Sequence, residues 1–149
     1  MRKLYHYTKL ENAKKIIASK KIKRTTLNVP KDEKPICWLS TNTFNETSAY
    51  PNVSIERLIN IGYVRFMVKD VKFLKVSNWK KLIMKANISP QMQQGMLSYT
   101  EAKSSEWFGT LKDIPLALVQ DIEYMDKNQN WVSITQDKLL AFKAKTSLN

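Results

Sequence analysis

His6 is the only histidine in the sequence, so any chemistry that needs an imidazole must take place around it. It lies in an aromatic stretch, 4–8, that is predicted to form the first strand. Thr8 and Glu11 have the spacing of a capping box, which predicts a helix over 9–19 with one apolar face. This arrangement puts His6 at the C-terminal end of the strand, at the mouth of a strand-to-helix turn. A structural, hydrogen-bonded role for the histidine is the alternative interpretation.

The next residues that could do chemistry follow a short apolar run. This run ends in the hydroxyls of Ser40 and Thr41, and it is typical of a buried strand. Thr43 and Glu46 repeat the capping-box spacing, so a short helix is expected over 44–50.

The single cysteine and the scattered glycines exclude several kinds of site. Cys37 stands alone, so no intramolecular disulfide can form, and one Cys with one His cannot supply a zinc cage. Gly62, Gly95 and Gly109 lie far apart, which excludes the glycine-rich phosphate loops of P-loop NTPases and Rossmann folds. We therefore expect no metal site and no Rossmann-type dinucleotide site.

Basic residues are concentrated in the N-terminal half. Lys and Arg outnumber Asp and Glu by 25 to 13, and residues 1–24 hold nine basic side chains and one acid, against six and seven in 101–149. Such a field attracts the phosphates of nucleic acid, of a dinucleotide or of an anionic membrane, although it also serves as a solvated face. No apolar run of about 18 residues and no signal-peptide core occurs, so we expect no membrane span and a reducing, cytoplasmic setting.

The remaining pattern predicts a mixture of helices and strands. The predicted elements are a strand over 63–68, a strand or strand continuation over 73–76, a helix capped by Asn78, a helix opened by Ser89-Pro90 with Met92, Met96 and Tyr99 on its inner face, a strand over 106–110, a hairpin over 122–134 and a closing helix over 135–143. This order predicts an α+β fold of mostly antiparallel strands with inserted helices, as a single domain over 1–149.

Three stretches in this order resemble the H-Y-E branch of the ADP-ribosyltransferase superfamily, the branch of diphtheria toxin, the poly-ADP-ribose polymerases and DarT-type DNA modifiers. They are His6 on the opening strand, Trp38-Leu39-Ser40-Thr41-Asn42 leading to Tyr50, and Ser105-Glu106-Trp107-Phe108 before the last strands. The resemblance covers 4–134 and implies split, mostly antiparallel sheets. Leu39 departs from the toxin-like pattern, which has a tyrosine at this place.

The resemblance implies that NAD is the substrate and that its nicotinamide–ribose bond is cleaved. Glu106 then corresponds to the catalytic carboxylate, which stabilises the positive charge that develops on the ribose. Glu101 and Glu123 are the other acids considered for this role.

The resemblance also implies a set of cofactor-binding residues. His6 would hydrogen-bond a ribose hydroxyl, and the backbone of Tyr7 would hold the carboxamide. Tyr50 would stack on the nicotinamide ring, with Trp38 as the second aromatic face if its side chain rather than that of Leu39 points to the slot. The full set is His6, Tyr7, Trp38, Ser40, Thr41 and Tyr50.

The leading hypothesis is an NAD-dependent ADP-ribosyltransferase that releases nicotinamide and modifies a macromolecular acceptor, either nucleic acid or protein. A neutralising partner is expected for an unregulated enzyme of this kind. Transfer to water would instead make the protein an NAD glycohydrolase. A non-catalytic basic domain that binds nucleic acid is the alternative from a different class, together with an inhibitor or adaptor in which Leu39 closes the slot.

Overall fold

Apolar residues recur along the chain at strand spacing in some stretches and at helix spacing in others. The computed structural model describes residues 2–26, 29–98 and 101–143. It has strands and helices at these places. The strands are β1 (Leu4–Lys9), β2 (Lys21–Ile22), β3 (Cys37–Ser40), β4 (Tyr63–Val68), β5 (Ser77–Asn78), β6 (Trp107–Thr110), β7 (Ile114–Pro115), β8 (Val119–Met125) and β9 (Trp131–Ser133). The helices are α1 (Leu10–Ser19), α2 (Ile55–Ile61), α3 (Trp79–Lys85), α4 (Pro90–Leu97) and α5 (Gln136–Ala141). The predicted α+β class is confirmed.

Antiparallel pairing joins the strands into two sheets of unequal size. The larger sheet has seven strands in the order β5-β6-β3-β1-β4-β8-β9, and β2 with β7 forms a two-stranded sheet. Strand β1 lies in the middle of the larger sheet and pairs with β4 along its whole length, from Leu4 with Val68 to Lys9 with Tyr63. The two predicted features of the sheet, antiparallel strands and helices inserted between them, are both present.

The two faces of the larger sheet bury different clusters. On one face, α1 and α5 pack their apolar side chains against Leu4, Val64 and Phe66, which are at most 1% exposed. The other face carries two separate clusters, one around Tyr7 and Tyr63 and the other around the tryptophans Trp79 and Trp107. Tyr7 of the first cluster and Trp107 of the second border the same cleft.

Helix α1 confirms the predicted helix, but its start is capped in another way. Lys9 is the N-cap and makes no side-chain capping hydrogen bond, so the predicted capping box is wrong. The backbone N–H of Leu10 instead donates to the carbonyl of Gly62 at 2.8 Å, and that of Lys9 donates to the hydroxyl of Tyr50 at 3.1 Å. Distant parts of the chain therefore satisfy two of the free backbone donors at the start of the helix.

Gly62 permits this close contact. Its φ of +93° is a backbone conformation that favours glycine, and a Cβ at this position would lie 2.6 Å from the Cβ of Leu10. The turn between α2 and β4 can therefore bring its carbonyl to the first turn of α1 only because position 62 has no side chain.

Two further predictions of local structure are wrong. Residues 44–50 form turns and not a helix, because the side-chain oxygen of Asn42 accepts hydrogen bonds from the backbone of Phe44 and Asn45 and so begins a tight turn. Residues 72–74 form a 3₁₀ turn in place of the expected strand over 73–76. The predicted strand over 106–110 is confirmed as β6 from Trp107 onwards, and Glu106 itself ends a 3₁₀ turn directly before it.

The predicted starts of the later helices are confirmed. Asn78 caps α3, Ser89 caps α4 with Pro90 in its first turn, and Thr135 caps α5. Tyr99, predicted on the inner face of α4, lies outside the described residues. Within the part of the chain that is described, no helix combines the length and the apolar character needed to cross a membrane.

Candidate functional site

The larger sheet is open at one place, between β1 and β3. These strands are neighbours, yet they pair only through Tyr5 and Ser40, whereas β1 and β4 pair at every residue from 4 to 9. We call this opening the seam and define it by residues 5–8 of β1 and 38–40 of β3. Backbone groups of β1 that face β3 beyond Tyr5 are thus available to a ligand.

The imidazole of His6 replaces part of the missing ladder. Its Nδ1 lies 2.8 Å from the carbonyl oxygen of Trp38, and since a carbonyl only accepts, Nδ1 carries the hydrogen. Burial lowers the pKa of His6 from its ordinary 6.5, and the hydrogen bond to Trp38 acts in the opposite direction with smaller effect. The ring is therefore neutral near pH 7, and its Nε2 has a lone pair that accepts a hydrogen bond.

The position of His6 corrects the sequence-based expectation. His6 is the third residue of β1 and not its last, so it does not lie at a strand-to-helix turn. The imidazole ring lies in the seam because β3 diverges from β1 after a single residue pair. Both interpretations of this histidine, structural and functional, remain compatible with its contacts, since one nitrogen bonds the fold and the other does not bond any described residue.

A cleft of about 400 Å³ opens at the seam. A volume of this size lies within the range of small-molecule sites. Five of the seven residues predicted for the site line it, and these are His6, Tyr7, Trp38, Ser40 and Tyr50. Thr41 and Glu106, the other two, are not among the lining residues.

Two aromatic rings in the cleft are held in place by their neighbours. The indole of Trp38 packs against that of Trp79 with ring centroids 6.2 Å apart. The ring of Tyr50 meets Tyr63 edge-on at 6.4 Å, and its hydroxyl accepts from the Lys9 N–H. Both rings therefore present fixed apolar surface to a ligand.

The structure separates the roles of Trp38 and Leu39. Leu39 borders the cleft but is only 3% exposed and belongs to the core beneath α1. Trp38 is partly exposed and packs on the opposite face with the tryptophan cluster. Alternation along β3 thus turns the larger aromatic surface, and not the leucine, towards the face that carries the two separate clusters.

Glu46 lines the cleft, although its spacing to Thr43 predicts a helix cap. Its carboxylate accepts from the hydroxyl of Ser40 at 2.7 Å, from the indole N–H of Trp107 at 3.2 Å, and from the backbone N–H and hydroxyl of Ser48. Both oxygens are used, so this carboxylate is fixed in the wall of the cleft. The spacing to Thr43 is the only sequence signal for Glu46, and it indicates a different structure.

Side-chain donors on strands of the larger sheet hold the loop that carries Glu46. Three successive backbone carbonyls of this loop, at residues 42, 43 and 44, accept from Tyr7, Arg65 and Trp131 respectively. The side-chain oxygen of Asn45 accepts from the hydroxyl of Tyr63. The position of Glu46 therefore depends on side-chain donors on β1, β4 and β9.

Arg65 is the central donor of this set. It is 6% exposed, pairs with Glu123 at 2.8 Å, and lies 4.0 Å from the ring centre of Tyr5 and 4.4 Å from that of Trp131. Burial raises the pKa of the neighbouring Tyr7 hydroxyl to about 12, so Tyr7 stays a hydrogen-bond donor at neutral pH.

Glu106 lies beside the cleft wall. Its backbone carbonyl accepts from the N–H of Thr41 at 3.1 Å, and its side chain accepts from the amide of Asn42 at 3.3 Å. Of the other acids considered, Glu101 is exposed and Glu123 is paired with Arg65, and neither lines the cleft. Among the described residues, the carboxylate that lines the cleft is that of Glu46.

Comparisons with protein-family models, with curated proteins and with solved structures find no match to this chain. The described residues hold no group of three or more His, Cys, Asp or Glu side chains arranged to bind a metal ion.

Proposed function

We propose that this protein binds NAD in the cleft, cleaves the bond between nicotinamide and ribose, and transfers ADP-ribose to a macromolecular acceptor. The observation that carries the proposal is the convergence of an imidazole, two aromatic rings and a fixed carboxylate at the seam. His6, Trp38, Glu46 and Tyr50 come from separate stretches of the chain, yet all four line one opening.

The aromatic rings suit the nicotinamide end of NAD. Nicotinamide is a cationic ring until it leaves, and neutral aromatic faces attract such a ring by about 0.5–2 kcal/mol. Trp38 and Tyr50 offer these faces. The backbone of β1 near Tyr7 has no β3 partner, so it is available to the carboxamide, which both donates and accepts hydrogen bonds.

The tautomer of His6 suits a ribose hydroxyl. With Nδ1–H donated to Trp38, the lone pair on Nε2 accepts from an O–H group. The lowered pKa keeps the ring uncharged. A neutral ring is the better neighbour for a ribose that develops positive charge, because an imidazolium would repel it.

Two carboxylates are available to stabilise that charge. Glu106 is our proposed catalytic residue, by resemblance to the ADP-ribosyltransferases, and the amide of Asn42 anchors it beside the cleft. Glu46 is the competing candidate because it lines the cleft, but its oxygens already accept four hydrogen bonds, which suits a positioning role. The experiment below separates the two.

The charge of the protein favours a polyanionic acceptor. A formal net charge of +12 attracts nucleic acid without sequence preference, and this term weakens steeply with salt. The same charge supports the second candidate function, a non-catalytic nucleic-acid-binding domain, which would show salt-dependent binding without nicotinamide release.

Release of nicotinamide from NAD by the pure protein, with and without DNA or RNA, tests the proposal. We expect Glu106→Gln to lower the rate by about 10²–10³, because one preorganised electrostatic group contributes this much. His6→Ala should also lower it. The matched control is Glu11→Gln, since Glu11 is exposed on α1 and its one ion pair among the described residues is with Lys15, at 3.7 Å.

Each alternative predicts a distinct result. Unchanged release in Glu106→Gln with loss in Glu46→Gln would move the catalytic role to Glu46. Release that does not require an acceptor and leaves DNA and RNA unmodified would indicate a glycohydrolase. The proposal is wrong if the wild-type protein neither binds NAD nor releases nicotinamide.

A further inference from the structure

The longest stretch of the chain without an acid runs from Asp70 to Glu101. It holds five lysines, at positions 72, 75, 80, 81 and 85. All five are exposed, and none of them pairs with a carboxylate of the described residues. In residues 1–24, by contrast, four of the nine basic side chains pair with acids. The positive charge of 71–100 is therefore not neutralised within the described structure.

Helix α3 turns three of these lysines to solvent. It buries Trp79 and Leu82, so Lys80, Lys81 and Lys85 lie on its exposed side. Lys81 and Lys85 are four residues apart, a spacing at which like charges on a helix repel each other. A bound polyanion would supply the negative charge that relieves this repulsion.

An exposed aromatic ring lies in the first part of the stretch. Phe73 directly follows Lys72, and its side chain is 57% exposed. The ammonium of Lys112 lies 4.1 Å from the centre of this ring. The next residue, Leu74, is fully buried, and its carbonyl accepts from the hydroxyl of Thr110. The turn is thus anchored, and Phe73 presents a flat apolar surface at a fixed place among the lysines.

The turn and the helix lie on opposite faces of the larger sheet and meet at its edge. Leu74 packs in the cluster beneath α1, whereas the apolar side of α3 packs in the tryptophan cluster on the other face. Strand β5 joins them and is the outermost strand at this end of the sheet. The ammonium of Lys85 donates to the hydroxyl of Ser77 on β5 at 2.8 Å, so the helix contacts the strand directly. We call residues 72–85 with Lys112 the basic edge.

The course of the basic edge around the sheet distinguishes among polyanions. A membrane surface is flat, and a helix that binds it turns its apolar side outwards, whereas α3 buries that side in the core. Duplex DNA is stiff, with a persistence length of about 150 base pairs, so it cannot bend around one strand. A single strand of nucleic acid is flexible, and it binds through lysines at its phosphates and aromatic rings against its bases.

We propose that the basic edge binds single-stranded nucleic acid, with its lysines at the phosphates and the ring of Phe73 stacked on a base. Lysines at phosphates carry no sequence information, so binding should not depend on the base sequence. This inference goes beyond the proposed function, because such binding requires neither NAD nor the cleft. Only the use of the bound strand as the acceptor rests on that function.

Binding of fluorescent oligothymidylate, measured by anisotropy at several salt concentrations, tests the lysines. For a single strand, the logarithm of the binding constant falls with the logarithm of salt concentration by about 0.7 per neutralised phosphate. Lys80→Gln with Lys81→Gln should therefore make this slope shallower by about 1.4. Lys127→Gln with Lys138→Gln is the matched control, because it removes the same charge from exposed lysines in the β8–β9 turn and on α5. The control should keep the wild-type slope.

Replacement of Phe73 tests the stacking. Phe73→Ala should lower the affinity about 5–150-fold without changing the salt slope, whereas Phe73→Tyr keeps a ring and should retain the affinity. The side chain is exposed, so unfolding midpoints should match that of the wild type.

Several results would overturn the basic edge as a single-strand site. They are equal salt slopes in the two double variants, full affinity in Phe73→Ala, equal affinity for a duplex, and binding to phosphatidylserine vesicles in place of the oligonucleotide. Strand binding through the basic edge without nicotinamide release keeps this surface and refutes the proposed function. Nicotinamide release by a protein that does not bind the strand does the reverse.

Discussion

Replacement of Glu46 measures how strongly its carboxylate holds the wall of the cleft. Glu46→Ala removes the acceptor of four hydrogen bonds. The hydroxyls of Ser40 and Ser48 can turn to other acceptors, so the cost comes mainly from the indole N–H of Trp107 and the backbone N–H of Ser48. A buried donor without a partner costs about 1–3 kcal/mol, and partial exposure of Glu46 admits water, so we expect a loss of about 2–4 kcal/mol.

Glu46→Gln should cost much less. A glutamine can turn its oxygen towards Trp107 and Ser48 and donate its amide to the hydroxyl of Ser40, so only the charge is lost, at about 1 kcal/mol. The pair of variants therefore separates the hydrogen-bonding geometry from the charge.

Thermal and urea unfolding check this prediction. For a chain of this length, about 2–4 kcal/mol corresponds to a fall in Tm of about 5–15 °C for Glu46→Ala. Glu11→Ala is the control, because its exposed pair with Lys15 contributes about 0.3–0.5 kcal/mol. If Glu46→Ala were as stable as Glu11→Ala, the network around this carboxylate would contribute nothing, and its fixed position could not support the proposed site.

Three further predictions concern the seam and its supports. Because burial lowers the pKa of His6 in the folded protein, the unfolded chain takes up the proton first as the pH falls. Above about pH 6.5 His6 should not change the free energy of unfolding, and below that pH it should lower this free energy. The urea midpoint should therefore fall between pH 7.5 and pH 5 by more in the wild type than in His6→Gln, and equal falls would contradict the assignment. Arg65→Ala leaves the partly buried carboxylate of Glu123 and the carbonyl of Thr43 without their donor and should cost about 3–5 kcal/mol in thermal unfolding. The double variant with Glu123→Gln should be less destabilised than the sum of the single variants, and strict additivity would argue against the pair. Gly62→Ala forces a Cβ to within 2.6 Å of Leu10 at a positive φ and should cost at least about 2 kcal/mol, whereas Gly95→Ala, with open space around it, should stabilise α4 by about 0.5–1 kcal/mol. Unfolding midpoints that rank these two glycine variants the other way would refute this explanation.

Local signals predicted the elements whose ends are set locally. The helices that begin after Asn78, Ser89 and Thr135 are capped by those side chains. The cap expected from Thr8 fails because Thr8 is inside β1 and the carbonyl of Gly62 takes the first helical donor. A spacing of three residues carries no information on a partner that lies some fifty residues away.

The residues of the candidate site also divide into those that could be predicted from the sequence and those that could not. His6, Trp38 and Tyr50 line the cleft, as the resemblance to the ADP-ribosyltransferases led us to expect, whereas residue types alone singled out only His6. Glu46 could not be assigned to the cleft, since its donors come from three separate places along the chain. Arg65 looked like one of many basic residues on a strand, and only the folded structure brings it beneath the loop at 42–45.

The loop at 42–48 connects the two clusters that flank the cleft, and this explains why the seam stays open. Tyr7, Arg65 and Trp131 hold its first residues to one cluster, whereas Glu46 ties it to Trp107 in the other. If β3 closed onto β1, the carbonyl of Trp38 would exchange its bond to His6 for a ladder bond, and the loop would have to give up its contacts on one side. The sheet therefore gains little by completing its ladder, because the hydrogen bonds made by the loop and by the imidazole replace those that the missing pairs would have made.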